Sequence, residues 1–239
     1  MSKSASKLWA VVPAAGIGSR FCADIPKQFY QLNGQLVAQY TLNRLLSLSM
    51  IDRVYVPCDM TSAHWSQVPA VDSGRVRLLG GGENRAQSVF NGLLALQEFA
   101  DQDDWVLVHD MARPCVTTDS VNQLIDSLSE HPVGGILALP VNDTLKKVSG
   151  EKLIVKTVER SQYWVAQTPQ MFRFGLLMSA MQAMLQEGLI PTDEASAIEF
   201  AGHRPQVVEG RRDNIKITRR EDLAVAAAIL QNQGVKGCE

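Results

Sequence analysis

The chain has 239 residues, enough to bury a substantial core in one large domain or two small ones. Its 23 basic and 25 acidic side chains give a formal charge of −2, which argues against a general nucleic-acid or anionic-membrane binder, since these carry a basic excess. Hydrophobic residues at 46% against charged residues at 20% exclude an intrinsically disordered chain.

The early apolar stretch Leu8 to Ala15 follows Lys3 and Lys7 but is broken by Pro13 and runs into a glycine-rich turn. It reads as a strand and not as a secretory leader. No run approaches the roughly 20 apolar residues that span a bilayer, so no membrane partner is expected. Short apolar runs bounded by turn residues predict strands over Leu8 to Pro13, Arg53 to Cys58, Val76 to Leu79, Trp105 to His109 and Val133 to Pro140. Apolar residues repeating at three and four predict helices over Val37 to Leu48, Arg85 to Phe99 and Asp119 to Ser129. In the second, Ala86, Val89, Phe90, Leu93 and Leu94 would share a face. The alternation predicts an α/β fold, a single Rossmann-like, three-layer domain over 1–239 with a mostly parallel central sheet.

The stretch Asp143 to Gln162 breaks this rhythm, with two alternating strands around Ser149-Gly150-Glu151. Lysines interleave with Leu145, Val148, Leu153, Ile154 and Val155, giving a half-exposed hairpin that would be a poor isolated structure. It reads as an arm for a partner surface or as an ordinary surface hairpin. Helices are expected again over Phe174 to Gln186, Asp193 to Phe200 and Arg220 to Gln231, with a strand near Gln206 to Val208.

Cys22, Cys58, Cys115 and Cys238 have no metal-type or C-x-x-C spacing and read as free thiols of a reducing cytoplasm. His64, His109, His131 and His203 lie far apart, which makes a His/Cys zinc site improbable.

In open α/β sheets ligands collect beyond the carboxyl ends of the strands. After the first strand come Ala14-Ala15-Gly16-Ile17-Gly18-Ser19-Arg20 and Pro26-Lys27-Gln28. Small residues let backbone N–H groups approach phosphate oxygens, and Arg20 and Lys27 add charge-assisted donors, so the loop can hold a polyphosphate. The same residues also fit a tight turn with two solvated cations. Phe21 at the third glycine position opposes a dinucleotide fingerprint, and no G-x-x-x-x-G-K-[ST] exists. Gly80-Gly81-Gly82-Glu83-Asn84-Arg85, with Ser88 a turn further on, offers a backbone that could line a base edge, or a flexible turn with Asn84 as helix N-cap. Val108-His109-Asp110-Met111-Ala112-Arg113-Pro114 sets a carboxylate after a buried strand, which suits a polar or metal-bound substrate or a local ion pair. Thr192-Asp193-Glu194-Ala195 looks first like a capped helix start. Arg211-Arg212-Asp213-Asn214-Ile215-Lys216 concentrates cations, as a site or as a solvated charge run.

Taken in order, Pro13-Ala14-Ala15-Gly16-x-Gly18-x-Arg20, Pro26-Lys27-Gln28, Gly81-Gly82-Glu83-x-Arg85-x-x-Ser88-Val89, Val108-His109-Asp110-x-Ala112-Arg113-Pro114, Gln167-Thr168-Pro169-Gln170, Thr192-Asp193-Glu194-Ala195 and Asp213-Asn214-Ile215-Lys216 closely resemble the 2-C-methyl-D-erythritol 4-phosphate cytidylyltransferase family. The resemblance runs from about Leu8 to Leu230. It implies a cytoplasmic, homodimeric nucleotidyltransferase of the non-mevalonate isoprenoid pathway, joining CTP to methylerythritol phosphate with Mg²⁺ present and pyrophosphate released. It further implies that Pro13, Ala14, Ala15, Gly16, Gly18, Arg20 and Lys27 hold the triphosphate, and that Gly81, Gly82, Glu83 and Ser88 read cytosine and its neighbourhood. Asp110, Arg113, Thr168, Thr192 and Lys216 would surround the acceptor and the reacting phosphates. Thr144 and Arg160 would reach across the dimer from a protruding hairpin arm at about 143–162. Asp110 and Asp213 are the acids to examine as metal contacts. Met111 departs from the family's alanine and could narrow the substrate pocket.

This chemistry agrees with the residues. A substrate phosphate is a nucleophile at neutral pH, so no Ser-His-Asp or Cys-His set is needed. The crowded anionic oxygens must be neutralised as the α-phosphorus is attacked in line, a task for Arg20, Lys27 and Lys216. The nearest rival is a pentitol-phosphate cytidylyltransferase using ribitol 5-phosphate. A nucleotide-binding sensor would need only the first two loops and leaves Asp110, Thr192 and Lys216 without a purpose.

Overall fold

The computed structural model describes residues 6–16, 21 and 25–234. Gly18, Arg20, Cys22 and Cys238 lie outside the described residues. The strands are β1 (Leu8–Val11), β2 (Gln31–Leu32), β3 (Gln35–Leu36), β4 (Ile51–Cys58), β5 (Val76–Gly80), β6 (Trp105–Val108), β7 (Gly134–Pro140), β8 (Leu145–Val148), β9 (Ile154–Val158), β10 (Trp164–Arg173) and β11 (Gln206–Glu209). The α-helices are α1 (Val37–Leu46), α2 (Arg85–Leu96), α3 (Thr118–Leu128), α4 (Phe174–Gln186), α5 (Glu194–Phe200) and α6 (Asp222–Asn232).

Seven strands form one sheet in the order β11-β7-β10-β6-β1-β4-β5. Every pairing in it is parallel except those of β10, which runs antiparallel to both β6 and β7. The fold is therefore a three-layer α/β sandwich with a mostly parallel sheet. In β1, Leu8 and Ala10 pack toward α1 and α3, while Trp9 and Val11 pack toward α2, α4 and α5. A strand covered on both faces has no solvent-facing positions, which is why these strands read as continuous apolar runs. A smaller third cluster docks α6 through Ala226 and Leu230 onto Val37, Tyr40 and Ile217.

Helix starts follow local chemistry. The Asn84 side chain accepts from the Gln87 N–H at 2.9 Å and caps α2. Asp193 caps α5 in a capping box with Ser196. Leu94, expected on the inner face of α2, is 44% exposed, because Ala86, Val89, Leu93 and Leu96 already fill the stripe that meets the sheet.

Sequence periodicity does not predict β10. Its centre, Gln167-Thr168-Pro169-Gln170, is polar enough to resemble a loop, yet all four residues are buried. The pairing with β7 is interrupted between Ala166 and Gln170, and this irregularity turns the polar centre toward the loop after β6. β8 and β9 pair only with one another and form a hairpin outside the main sheet. Leu153, Ile154 and Val155 on it are 64%, 66% and 59% exposed. No described helix is long and apolar enough to cross a membrane.

Gly134 opens β7 at φ +119°, and a Cβ there would lie 2.2 Å from the Met171 carbonyl oxygen of β10. Both the backbone conformation and the close strand approach exclude a side chain. Gly134→Ala is expected to lower the unfolding free energy by at least about 2 kcal/mol, measured by urea denaturation against the unsubstituted chain.

Candidate active site

Successive strands depart from β1 in opposite directions along the sheet, toward β4 and β5 on one side and toward β6 on the other. Beyond the carboxyl ends of the strands at this switch point, where open α/β sheets hold their ligands, lies a cavity of about 540 Å³.

The loop after β1 gives Pro13, Ala14, Ala15 and Gly16 to its wall, and Lys27 and Gln28 border it from the next segment. The Ala14 N–H extends the β1 ladder by donating to the Pro57 carbonyl at 2.8 Å, and the Ala14 carbonyl accepts from Gln28 Nε2 at 2.8 Å. Ala14 is thus committed to shaping the loop. Lys27 Nζ donates to the Ile217 carbonyl at 2.9 Å, which ties this segment to the one bearing Lys216.

Gly82, Glu83 and Asn84 form the facing wall. Gly81 does not line the cavity. Its N–H donates to the Cys58 carbonyl at 2.8 Å, and a Cβ on it would lie 2.3 Å from the Ala15 Cβ. The absence of a side chain there lets the two loops touch. Ser88 accepts from the Gly82 N–H at 3.0 Å and donates to the Asn84 carbonyl at 2.9 Å, bracing the turn from within.

A second cavity of about 190 Å³ adjoins the first and shares Arg85, Asp110 and Lys216 with it. Arg113, Thr168 and Thr192 line this smaller space. In the common wall Asp110 receives Arg85 Nε at 2.7 Å and Lys216 Nζ at 2.7 Å, with Arg113 Nε 3.9 Å away. Burial alone would raise the Asp110 pKa, but Arg85 and Lys216 outweigh it and hold the carboxyl well below the usual carboxylate range. Arg85 also makes a two-point contact with the buried Glu194, at 2.7 and 3.1 Å. Burial works against its charge, yet Glu194 and Asp110 raise its pKa above the ordinary value.

Sequence reading assigned no role to Arg85 and treated Glu194 only as a first-turn acid. A signal existed, since Arg85 is the first residue of α2, where the helix dipole disfavours a cation. A half-buried cation in that position is stabilised by carboxylate partners. Met111 borders the large cavity, although it is only 3% exposed and packs mostly in the core on the α1 face. Thr144 and Arg160 are exposed and line neither cavity; Arg160 Nη1 donates to the Asn142 carbonyl.

The two acids considered for metal contact are both engaged by protein partners. Asp110 pairs with Arg85 through one oxygen and with Lys216 through the other, and Asp213 accepts from Arg211 at 2.7 and 2.9 Å and from Gln233 at 3.1 Å. No group of three or more His, Cys, Asp or Glu that could hold a metal occurs among the described residues.

A doubly wound sheet with a cation-walled double cavity at its switch point defines the class of a nucleotide-handling α/β transferase. The chain belongs to the 2-C-methyl-D-erythritol 4-phosphate cytidylyltransferase family, whose sequence model matches residues 8–232. A Pseudomonas entomophila protein of that name is 47% identical over 216 residues, covering 90% of this chain and 92% of the relative. One from Mannheimia succiniciproducens is 44% identical over 233 residues, covering 98% and 100%. The crystal structure of the Francisella tularensis 2-C-methyl-D-erythritol 4-phosphate cytidylyltransferase superimposes with a TM-score of 0.82 at 38% identity, covering 94% of this chain and all of that one.

The Asp110 cluster makes a pH-dependent contribution whose sign follows from the depressed pKa. The folded-state value lies below the unfolded one of about 3.9, so the stabilisation is complete above that pH and is lost as pH falls through the folded-state pKa. Asp110→Asn is expected to cost about 3 kcal/mol of stability at neutral pH by leaving Arg85 and Lys216 without their shared partner. That deficit stays constant between about pH 6 and 8 and shrinks only below about pH 4, checked by urea unfolding across the range.

Proposed function

We propose that this chain transfers the cytidylyl group of CTP to 2-C-methyl-D-erythritol 4-phosphate, forming 4-diphosphocytidyl-2-C-methyl-D-erythritol and pyrophosphate. The observation that carries the reading is the pair of adjoining cavities whose common wall holds Arg85, Asp110 and Lys216. A nucleotide in the larger space and an acceptor phosphate in the smaller would meet at that wall. A phosphate monoester has its second pKa near about 6 and is largely dianionic at neutral pH, so its oxygen attacks without a general base. The new P–O bond forms on the α-phosphorus as the bond to the pyrophosphate oxygen breaks, and the departing charge falls on the leaving group.

The residues take the following roles in this proposal. Ala15, Gly16, Gly18, Arg20 and Lys27 surround the triphosphate, with Pro13 and Ala14 shaping the loop. Gly82 and Glu83 face the base, and Ser88 braces their turn. Arg113, Thr168, Thr192 and Lys216 receive the acceptor, and Asp110 orients Lys216 and Arg85 without acting as a base. Lys27 and Lys216 neutralise the oxygens that gain charge in the transition state. Mg²⁺ enters with the nucleotide, as part of the Mg–CTP substrate, and neutralises triphosphate oxygens there.

The hairpin is read as the dimerisation arm of a homodimer. Its Leu153, Ile154 and Val155 are exposed, as is Val165 on β10 at 56%, and exposed apolar residues on a two-stranded ribbon are stabilised by a second surface. Thr144 and Arg160 would then serve the neighbouring subunit's acceptor. Cys58 and Cys115 are free and buried, with thiol pKa values pushed up to about 12 by burial, which suits a cytoplasmic enzyme.

Pyrophosphate release is expected with CTP and methylerythritol 4-phosphate, and at least about 10²-fold less with ATP or with ribitol 5-phosphate in their places. Preference for ribitol 5-phosphate would reassign the acceptor, and no release with any polyol phosphate would favour a nucleotide sensor.

Lys27→Ala and Arg160→Ala should each be nearly inactive, because each removes a charged phosphate partner. Their defects lie on different subunits of a composite site, so unfolding and reassociating the two variants at equal ratio should restore about a quarter of wild-type activity. Activity that stays at the level of the separate variants, with mixed dimers confirmed by mass, would remove Arg160 from the partner's site.

A further inference from the structure

The loops bearing Asp110, Arg113 and Lys216 are joined by a closed ring of hydrogen bonds. The Asp110 N–H donates to Thr168 Oγ1 at 3.0 Å, and Thr168 Oγ1 lies 3.1 Å from His109 Nδ1. His109 Nε2 lies 3.1 Å from the Arg113 carbonyl oxygen. Arg113 Nη1 in turn donates to the Asn214 carbonyl at 2.6 Å, and Asn214 Nδ2 closes the ring on the Thr168 carbonyl at 2.8 Å. His109, Asn214 and Thr168 are 0%, 1% and 4% exposed, so the centre of the ring is shielded from water.

The proton inventory of this ring has one solution. A carbonyl oxygen only accepts, so His109 Nε2 must carry a hydrogen and donate to Arg113. In a neutral imidazole Nδ1 is then an acceptor, and the Thr168 hydroxyl must donate to it. That leaves the Thr168 oxygen to accept the Asp110 N–H. If Nδ1 carried the hydrogen instead, Thr168 Oγ1 would receive two donors, its own hydrogen would lose this partner, and the Arg113 carbonyl would face a bare nitrogen. Burial also pushes the His109 pKa down to about 4, which keeps the ring neutral under physiological conditions.

We propose that His109, held as the neutral Nε2–H tautomer, is a positioning residue that locks the Asp110 to Arg113 turn against Thr168 and thereby sets the geometry of the acceptor-phosphate wall. The proposal rests on the reading of the smaller cavity as the acceptor site. His109 touches neither cavity and acts through Asp110, Thr168 and Arg113. Asn214, two residues before Lys216, is the opposite anchor of the same ring. A ring of this kind explains how the Asp110 to Arg113 turn and the Asn214 to Lys216 segment, far apart in sequence and both anchored on β10, can present charge to one phosphate without adjustment on binding. Displacement of a reacting group by about 1 Å can cost on the order of 10²-fold in rate.

Long-range ¹⁵N–¹H correlation spectroscopy on the uniformly labelled full chain at neutral pH, with the four imidazoles assigned by single substitution, reads the tautomer directly. A hydrogen on Nε2 and a bare Nδ1 at His109 are expected; a hydrogen on Nδ1, or on both nitrogens, overturns the proposal. Two variants then divide the ring. His109→Asn can keep an acceptor for Thr168 and loses the donor to Arg113, whereas His109→Gln does the reverse. Each is expected to lower kcat/KM for methylerythritol phosphate by about 10-fold or more, with CTP affinity, measured without acceptor, within about threefold of wild type. Unchanged acceptor kinetics, or CTP affinity lost in the same proportion as turnover, would reduce His109 to an ordinary core residue and overturn the proposal. Failure of the unsubstituted chain to transfer cytidylyl groups would sink the functional reading alone, since the tautomer is read without substrate.

Discussion

A buried carboxylate stays ionised where cations or hydrogen-bond donors replace the water it has lost, and Asp110 meets that condition with Arg85 and Lys216 each 2.7 Å away. The rest of the site follows from this constraint. Arg85, Lys216 and Arg113 gathered around Asp110 and Glu194 leave the cluster with one positive charge in excess. Arg113 stands on the side of the smaller cavity, and Lys216 and Arg85 lie in the wall it shares with the larger one. A site built in this way suits substrates that bring their own negative charge, and it has no need of an activated side-chain nucleophile.

The same constraint explains the placement of secondary structure around the site. β6 delivers Asp110 from the middle of the sheet, where it is fully covered, and α2 and α5 start at Arg85 and Glu194, so their first turns converge on it. β10 runs against the direction of its neighbours, and its irregular centre supplies Thr168 from below the turn. Positions separated by 109 residues in sequence, Arg85 and Glu194, are thereby fixed at hydrogen-bond distance.

Much of this was legible in the chain. Strands buried on both faces leave apolar runs that composition alone can locate, and the loops after them carry Lys27, Asp110 and Lys216 in motif order. What was not legible depends on tertiary partners. β10 resembles a loop because Gln167, Thr168 and Gln170 interrupt its apolar pattern, and only their buried partners make them compatible with a strand. The contact with Ala15 that a side chain at Gly81 would block is visible only in the fold. Arg85 and His109 look like ordinary motif residues until the groups they bridge are brought together, although a cation at the start of α2 already conflicts with the helix dipole.

Because Asp110 is committed to ion pairs, cytidylyl transfer should be a single displacement by the substrate's own phosphate. The most direct measurement is stereochemical: CTP with one α-phosphate oxygen replaced by sulfur in known configuration is turned over with methylerythritol 4-phosphate, and the configuration of the diphosphocytidyl product is determined. Direct in-line attack predicts inversion at phosphorus. Retention would require two displacements through a cytidylyl–enzyme intermediate and would contradict a purely electrostatic role for Asp110 and its cations.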